Sequence, residues 1–354
     1  MGELALIEQI RHHFATHRYK SLALGIGDDC AILKPSSGSE ILVTTDFTLE
    51  GRHFRRDLHP PESVGHRCLA RGLSDLAAMG ATPLAAFLSL ALPPNLLATA
   101  SGRHSGHLWI ARFFAGLRTL ARMHGVPLAG GDTSESPRQS AHLEGLILAD
   151  IVLIGSAPKG KALRRSGAQP GDILYVTGHL GGASAEFNAM QQKKTRPHKP
   201  AATENHPHLY PEPRIATGKA LLKRNLATAC IDLSDGLSSD LAHLCRASNV
   251  QAVIEQSALP IHPLARKLGP AAALDAALNG GEDYELLFAA PPTLHIPTSI
   301  AGVPITRIGH LTRKRPGQPL MTLIEPSGTR IELEPKGWEH FSPAKRKSKR
   351  SSQK

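Results

Sequence analysis

Aromatic residues are scarce: Phe, Trp and Tyr make up 4% of the 354 residues. Proteins that hold single-stranded nucleic acid stack bases on several exposed rings, so the scarcity argues against such a platform and for an aliphatic core. The four cysteines, Cys30, Cys68, Cys230 and Cys245, form no Cys-x-x-Cys pair. That excludes a zinc knuckle and a disulfide framework and leaves buried free thiols as the expectation. Long apolar runs are missing too. The run at residues 84–92 stops at Pro93 and Pro94, short of the length a bilayer requires. Glu3 and Glu8 stand where a secretory signal has a basic segment, and Leu6 stands where a myristoylation motif has Ser or Thr. A cytoplasmic protein without a membrane segment is expected.

The common nucleotide signatures are also lacking. Gly155-Ser-Ala-Pro-Lys-Gly160-Lys161-Ala162 approaches a P-loop, but Ala162 replaces the hydroxyl that binds Mg²⁺ and Pro158 interrupts the cradle. Gly25 and Gly27 lack the third glycine of a dinucleotide fingerprint. Neither a His-Arg-Asp nor an Asp-Phe-Gly motif occurs. A nucleotide, if bound, sits on another scaffold.

The length allows two domains with cores of their own, and 41% hydrophobic and 20% charged residues place the chain among globular proteins. Apolar positions alternate between helical and strand spacing. Leu4, Ile7, Ile10 and Phe14 mark a first helix, and Val64, Cys68, Leu69, Leu73 and Leu76 a second. Further helices are expected at residues 108–123, 214–222 and 237–247 and from Gly182. Strands are expected at 40–45, 84–92, 126–129, 142–154, 173–176, 228–233, 250–255, 284–289, 303–308, 320–324 and 330–334. This is an α/β pattern of the α+β type in two blocks. The expected division is an N-terminal domain over 1–152, a C-terminal α/β domain over 153–342 and a disordered basic tail over 343–354, with a surface loop at 191–208.

The 41 Lys and Arg against 30 Asp and Glu give a net charge of +11, which by itself points toward nucleic acid or a membrane surface. Six of those cations, Lys345, Arg346, Lys347, Lys349, Arg350 and Lys354, lie in the tail. Without them the body is +5, 35 cations against 30 acids.

The acids are distributed unusually. Gly27-Asp28-Asp29, Thr44-Thr45-Asp46, Leu73-Ser74-Asp75, Gly130-Gly131-Asp132-Thr133, Asp232-Leu233-Ser234-Asp235-Gly236 and Gly280-Gly281-Glu282-Asp283 set carboxylates beside Gly, Ser or Thr at strand ends. Each alone fits a turn or a helix cap. Together they supply hard oxygen ligands suited to Mg²⁺, with glycines that let backbone approach a phosphate. Converging carboxylates without a cation repel one another. The set points to metal-assisted phosphoryl chemistry.

The same segments, in the same order, closely resemble the thiamine-monophosphate kinase family of the aminoimidazole ribonucleotide synthetase superfamily, over about residues 3–342: Gly25–Leu33, Thr44–Phe54, Leu73–Ala81, Gly130–Thr133, Ile231–Leu237 and Gly280–Leu286. The resemblance implies an N-terminal sheet domain that pairs into a barrel across a homodimer, a C-terminal α/β domain and an active site between them. It implies Mg²⁺ ligation by Asp29, Thr44, Thr45, Asp46, Asp75, Asp132, Asp232 and Asp235, with Asp75, Asp132 and Asp235 central to catalysis. It implies ATP contacts at Gly131, Asp132, Arg165 and Ser234, and thiamine monophosphate contacts at His53, Glu282 and Trp338. A planar guanidinium at Arg165 suits phosphate, and a Trp face suits a heteroaromatic ring, although Trp338 also fits a plain packing anchor. Asp28 fits a turn, a supporting partner or a ligand equally.

Two segments depart from the family pattern. Ser134 and Glu135 follow Thr133 where a second Thr is common, and the turn from Thr177 to Ser184 has no acid after its second glycine. The expected activity is ATP-dependent phosphorylation of thiamine monophosphate. The alternatives are another ATP-dependent reaction of the superfamily, or a basic nucleic-acid-binding protein on this fold. Nucleic-acid contact is otherwise expected only weakly, at the tail.

Overall fold

A computed structural model describes residues 3–14, 19–26, 30–97, 105–139, 145–193 and 206–338. Asp28, Asp29, the centre of the 191–208 loop and the 343–354 tail lie outside them. The first half runs through α1 (Glu3–Phe14), β1 (Leu22–Leu24), β2 (Ile32–Leu33), β3 (Ser39–Leu49), α2 (Pro61–Ala78) and β4 (Thr82–Leu92). It continues with α3 (Pro94–Leu97), α4 (Ser105–Met123), β5 (Leu128–Glu135) and β6 (Leu148–Pro158). The second half holds β7 (Ile173–Thr177), α5 (Gly182–Lys193), α6 (Ile215–Lys223), β8 (Ala229–Leu233), α7 (Leu237–Ser248) and β9 (Val250–Glu255). After these come α8 (Pro263–Arg266), α9 (Pro270–Asn279), β10 (Glu285–Ala290), β11 (Ser299–Ile300), β12 (Val303–Arg313), β13 (Met321–Ile324) and β14 (Arg330–Glu332).

The N-terminal sheet has the order β3-β6-β4-β5, with β4 and β5 parallel and the other pairs antiparallel. Side chains alternate across β3 because strand residues point to opposite faces in turn. Leu42 and Thr48 are buried on the helix side, whereas Ile41, Val43 and Phe47 are 48%, 65% and 59% exposed on the other. The division expected at 152/153 falls inside β6, which continues in this sheet to Pro158. The passage to the second sheet comes only afterwards.

The C-terminal sheet has the order β14-β13-β9-β12-β7-β10-β8, with β11 on β12. Every residue of β8 and β10 is buried, since both faces of these strands are covered. Cys230, Leu286 and Phe288 face the core around α2, while Ile231, Leu233 and Leu287 face the core around α7.

Helix α2 joins the halves. It is buried along nearly its whole length, as a central helix is, and Pro61 starts it where a missing N–H costs nothing. It packs against β3, β6 and α4 of its own half and against α6, β8 and β10 of the other. At the α4 crossing a Cβ on Gly116 would stand 1.9 Å from the Glu62 carbonyl oxygen, so only glycine permits that approach. Helices α8 and α9, rich in Ala and Pro, were not expected from periodicity. Of the thiols, Cys68, Cys230 and Cys245 are buried as expected, but Cys30 is exposed. Among the described residues no helix is long and apolar enough to cross a membrane.

Candidate active site

A cleft of about 600 Å³ opens between the halves, beside α2. Its lining includes Thr45, Asp46, His53, Asp75, Asp232, Ser234, Asp235, Glu282 and Trp338, nine of the residues singled out in the sequence. They divide into a carboxylate end and a ring-lined end.

The carboxylate end is built from three elements. Thr44 and Asp46 project from the helix side of β3, Asp75 from α2, and Asp232 from the α2 side of β8. The Thr44 hydroxyl donates to Asp75 Oδ2. Ser74 Oγ donates to Asp232 Oδ2 at 2.8 Å, and Arg71 Nη2 lies 3.3 Å from Asp46 Oδ1. Burial pushes Asp46 up to about 6, with Arg71 pulling it down and Asp75 pushing it further up. Burial, then the charge on Asp75, push Asp232 up to about 7. Asp75 is raised as well, by burial, against the Thr44 hydroxyl and the charges of Arg165 and Arg71. Burial is the largest cause in all three, so these carboxylates are costly to ionise where they stand.

The start of α7 adds two groups. Asp235 N–H and Gly236 N–H both donate to Asp240 Oδ2 at 3.1 Å, an inward-facing cap that burial pushes up to about 8. The Asp235 carbonyl accepts Trp338 N–H at 3.0 Å, which ties the C-terminal segment to this end of the cleft.

The ring-lined end is formed by His53, Phe54, His59, Phe187 and His208, with Trp338 reaching the cleft from the Asp235 side. His53 Nδ1 accepts Leu49 N–H at 2.9 Å, and Trp338 is 50% exposed. Glu282 stands at the junction of the two ends. Arg67 Nη2 donates to its two oxygens at 2.6 and 2.7 Å, and Arg71 Nη1 lies 3.4 Å from Oε1. Burial works to raise its pKa; Arg67, His208 and Arg71 outweigh burial and hold the carboxyl well below the ordinary range. Its backbone has φ +69°, and that of Tyr284 has φ +50°, rare values for residues with a side chain. Asp283 between them turns away and accepts Gly181 N–H at 2.6 Å and Ala183 N–H at 3.2 Å. It supplies from a distance the acid that the glycine turn before α5 lacks.

Other residues singled out lie apart. Asp132 is exposed on the edge strand β5, where its Oδ1 accepts Thr133 N–H at 2.8 Å. It pairs with Ser89, and Ser89 pairs with Asp150, so these three share the sheet face turned away from α2. Thr45 belongs to that face and donates to Asp150 Oδ1 at 2.7 Å. The glycine at 131 answers a steric demand of the sheet itself: a Cβ there would stand 1.9 Å from the Leu88 carbonyl oxygen. Arg165 is exposed beside β8, near enough for its charge to lower both Asp75 and Asp232. Asp29 is outside the described residues.

Sequence reading missed Arg67, Arg71, His59, His208, Phe187 and Tyr284. A signal existed for two of them: Arg67, Arg71 and Asp75 recur every four residues on α2 and so share one face. The histidines come from separate loops and had none.

Two sheets bridged by one central helix, with an acid-lined cleft between them, define a two-domain protein of the AIR synthase related type. Residues 27–156 match the AIR synthase related protein N-terminal domain and residues 169–317 the C-terminal domain. The chain belongs to the thiamine-monophosphate kinase family of enzymes. It is 37% identical to the thiamine-monophosphate kinase of Escherichia coli over 96% of this chain and 98% of the relative. It is 32% identical to that of Bacillus subtilis over 96% and 100%. The structure of the Stenotrophomonas maltophilia enzyme superimposes with a TM-score of 0.74 at 36% identity, covering 89% of this chain and 95% of that one. AaThiL complexed with AMPPCP and TMP gives 0.70 at 29% identity, covering 96% and 97%.

Proposed function

We propose that the protein transfers the γ-phosphoryl group of ATP onto a phosphate oxygen of thiamine monophosphate, giving thiamine diphosphate and ADP. The carrying observation is the juxtaposition in one cleft of an acid-rich end and a ring-lined end, in a chain whose relative AaThiL was solved with AMPPCP and TMP. The first end suits the phosphates and the second the heteroaromatic half of the acceptor.

The acceptor is already an anionic phosphate, so it needs no strong general base, and positioning and charge neutralisation supply most of the catalysis. Glu282, held ionised, faces the ring-lined end. His53 and Trp338 line the acceptor's place, while Ser234, Arg165 and Gly131 serve the nucleotide. Arg71 spans the two ends through Asp46 and Glu282.

The donors fit Mg²⁺. They are hard oxygens, and since burial makes Asp46, Asp75 and Asp232 costly to ionise, a cation beside them would stabilise their charged forms. Among the described residues no three His, Cys, Asp or Glu side chains form a ready cage for one ion. That suits a cation that completes its shell with phosphate oxygens and water. Asp46, Asp75, Asp232, Asp235 and Thr44 would hold it at the cleft, with Asp29 and Thr45 joining by resemblance; Asp132, which the resemblance also implies, stands on the sheet face turned away from α2. When bound, Mg²⁺ supplies neutralisation and alignment of two anionic partners for in-line attack.

The N-terminal half is read as the ATP, metal and dimerisation domain, working in the cytoplasm as a homodimer. Exposed Ile41, Val43 and Phe47 support pairing through the face of β3 that no helix covers among the described residues. The test is ADP formation from ATP with and without thiamine monophosphate. Formation that depends on the acceptor is expected; ADP release indifferent to it contradicts the proposal.

A further inference from the structure

His59 and His208 line the ring-lined end as a buried pair, with Nε2···Nε2 at 2.9 Å, and their ring nitrogens have no role in the reaction as described above. His208 Nδ1 lies 3.2 Å from Glu282 Oε2. The surrounding groups fix the tautomers. Ionised Glu282 only accepts, so His208 Nδ1 carries the hydrogen. Burial and the charge on Arg67 lower the pKa of both histidines, to about 3 for His59, so both are neutral. His208 Nε2 is therefore bare and accepts from His59 Nε2–H, which leaves His59 Nδ1 bare. That nitrogen meets Arg55 N–H at 3.0 Å. The Arg55 carbonyl, 3.1 Å from the same nitrogen, is taken by the N–H of His59 itself at 2.8 Å. One donor meets one acceptor at each link from Arg55 through His59 and His208 to Glu282.

The relay is braced. Glu186 Oε2 accepts His208 N–H at 2.8 Å and Leu209 N–H at 3.3 Å, and Ser63 Oγ donates to the Leu209 carbonyl at 2.8 Å. The Phe187 ring packs on His208 with centroids 4.8 Å apart. Its target requires bracing, since Glu282 sits on positive-φ backbone that other contacts must hold in place. His208 and Arg67 occupy Oε2, and Arg67 and Arg71 occupy Oε1; at 3.4 Å the Arg71 contact on Oε1 is the longest of the four and the one an incoming donor would displace.

We infer that His59 and His208 are positioning residues for Glu282, turning Oε1 toward the cleft so that it receives the thiamine part of the acceptor. The inference rests on the phosphoryl-transfer reading above. A carboxylate held this way suits both the cationic thiazolium ring and the amino group of the pyrimidine. The relay then governs affinity for the acceptor rather than the rate of transfer.

Steady-state kinetics with saturating ATP and Mg²⁺ test this. His208→Leu, which keeps volume and removes the donor, should raise KM for thiamine monophosphate about tenfold or more, with kcat and KM for ATP within about threefold. His208→Asn offers an amide N–H in place of Nδ1–H and should restore most of that affinity. If His208→Leu does not fold, His59→Leu against His59→Gln gives the same contrast, because the Gln amide replaces Nε2–H. An unmoved KM in the Leu variant, or equal losses in Leu and amide variants, overturns the relay while leaving the activity intact. Wild-type protein without acceptor-dependent ADP formation overturns the activity, and the relay's role with it.

Discussion

Asp75 accepts the Thr44 hydroxyl and lies under the influence of Arg71 and Arg165, yet burial still raises its pKa. A side chain that is costly to ionise is retained for chemistry rather than for stability. Asp75→Asn should lower kcat by about 100-fold or more, since removing a group that organises transition-state charge has effects of that size. The variant's thermal midpoint without ligands should equal or exceed the wild-type value, because a buried like-charge conflict has been relieved. Turnover near wild type would contradict the role assigned to Asp75.

The same burial sets a pH dependence. The folded values of about 6 for Asp46 and about 7 for Asp232 lie above the ordinary 3.8. A carboxyl raised on folding binds its proton more tightly in the native state, so its contribution is fully present below the unfolded value and is lost as the pH climbs through the folded one. Without divalent ions, stability from these groups should therefore fall between about pH 4 and 7. Thermal midpoints across that window check the sign: Asp232→Asn should fall less steeply than wild type. Mg²⁺ should raise the wild-type midpoint more at pH 8 than at pH 5.

At the scale of elements, α2 matters most, because it belongs to both cores and carries Arg67, Arg71 and Asp75 on one face. Its crossing with α4 depends on Gly116, where an added Cβ meets backbone that cannot give way. Gly116→Ala should cost about 1–3 kcal/mol or more, read as a lower denaturant midpoint with an unchanged slope. The helix itself was legible from Val64, Cys68, Leu69, Leu73 and Leu76, and so were most strands, because period-2 and period-3.6 patterns survive in short apolar runs. Helices α8 and α9 were not, since Ala and Pro carry weak periodicity. The extent of β6 was misjudged because pairing with β3, and not its own residues, carries that strand to Pro158. Thr44 and Thr45 look alike in sequence. The pleat turns Thr44 to the helix side, where it meets Asp75, and Thr45 to the opposite face, where it meets Asp150 at the rim of the cleft.

At the scale of the whole molecule, the open face of the N-terminal sheet and the basic tail lead to separate expectations. Val43 is 65% exposed between Ile41 and Phe47 on a strand face that no helix covers among the described residues. If the proposed homodimer forms through this face, Val43→Asp should convert it to a monomer in sedimentation, since a charge at the centre of an apolar interface is desolvated without a partner. Deleting residues 343–354 removes six of the 41 cations. Any retention on nucleic acid should vanish with the tail, while the proposed acceptor-dependent turnover stays unchanged.

The sequence by itself determined the two α/β blocks, the family and the set of acids, because these depend on residue type and order along the chain. Only the tertiary structure decided which acids meet. Asp46, Asp75 and Asp232 converge because α2 lies between two sheets, whereas Asp132 takes the other face of its sheet through the alternation of β5. Glu282 was visible as a motif residue, but its holding by Arg67, Arg71 and the His59–His208 pair was not. Those partners come from α2 and from loops flanking residues 59 and 208. Contacts across such separations arise from packing, which no local pattern of residues encodes.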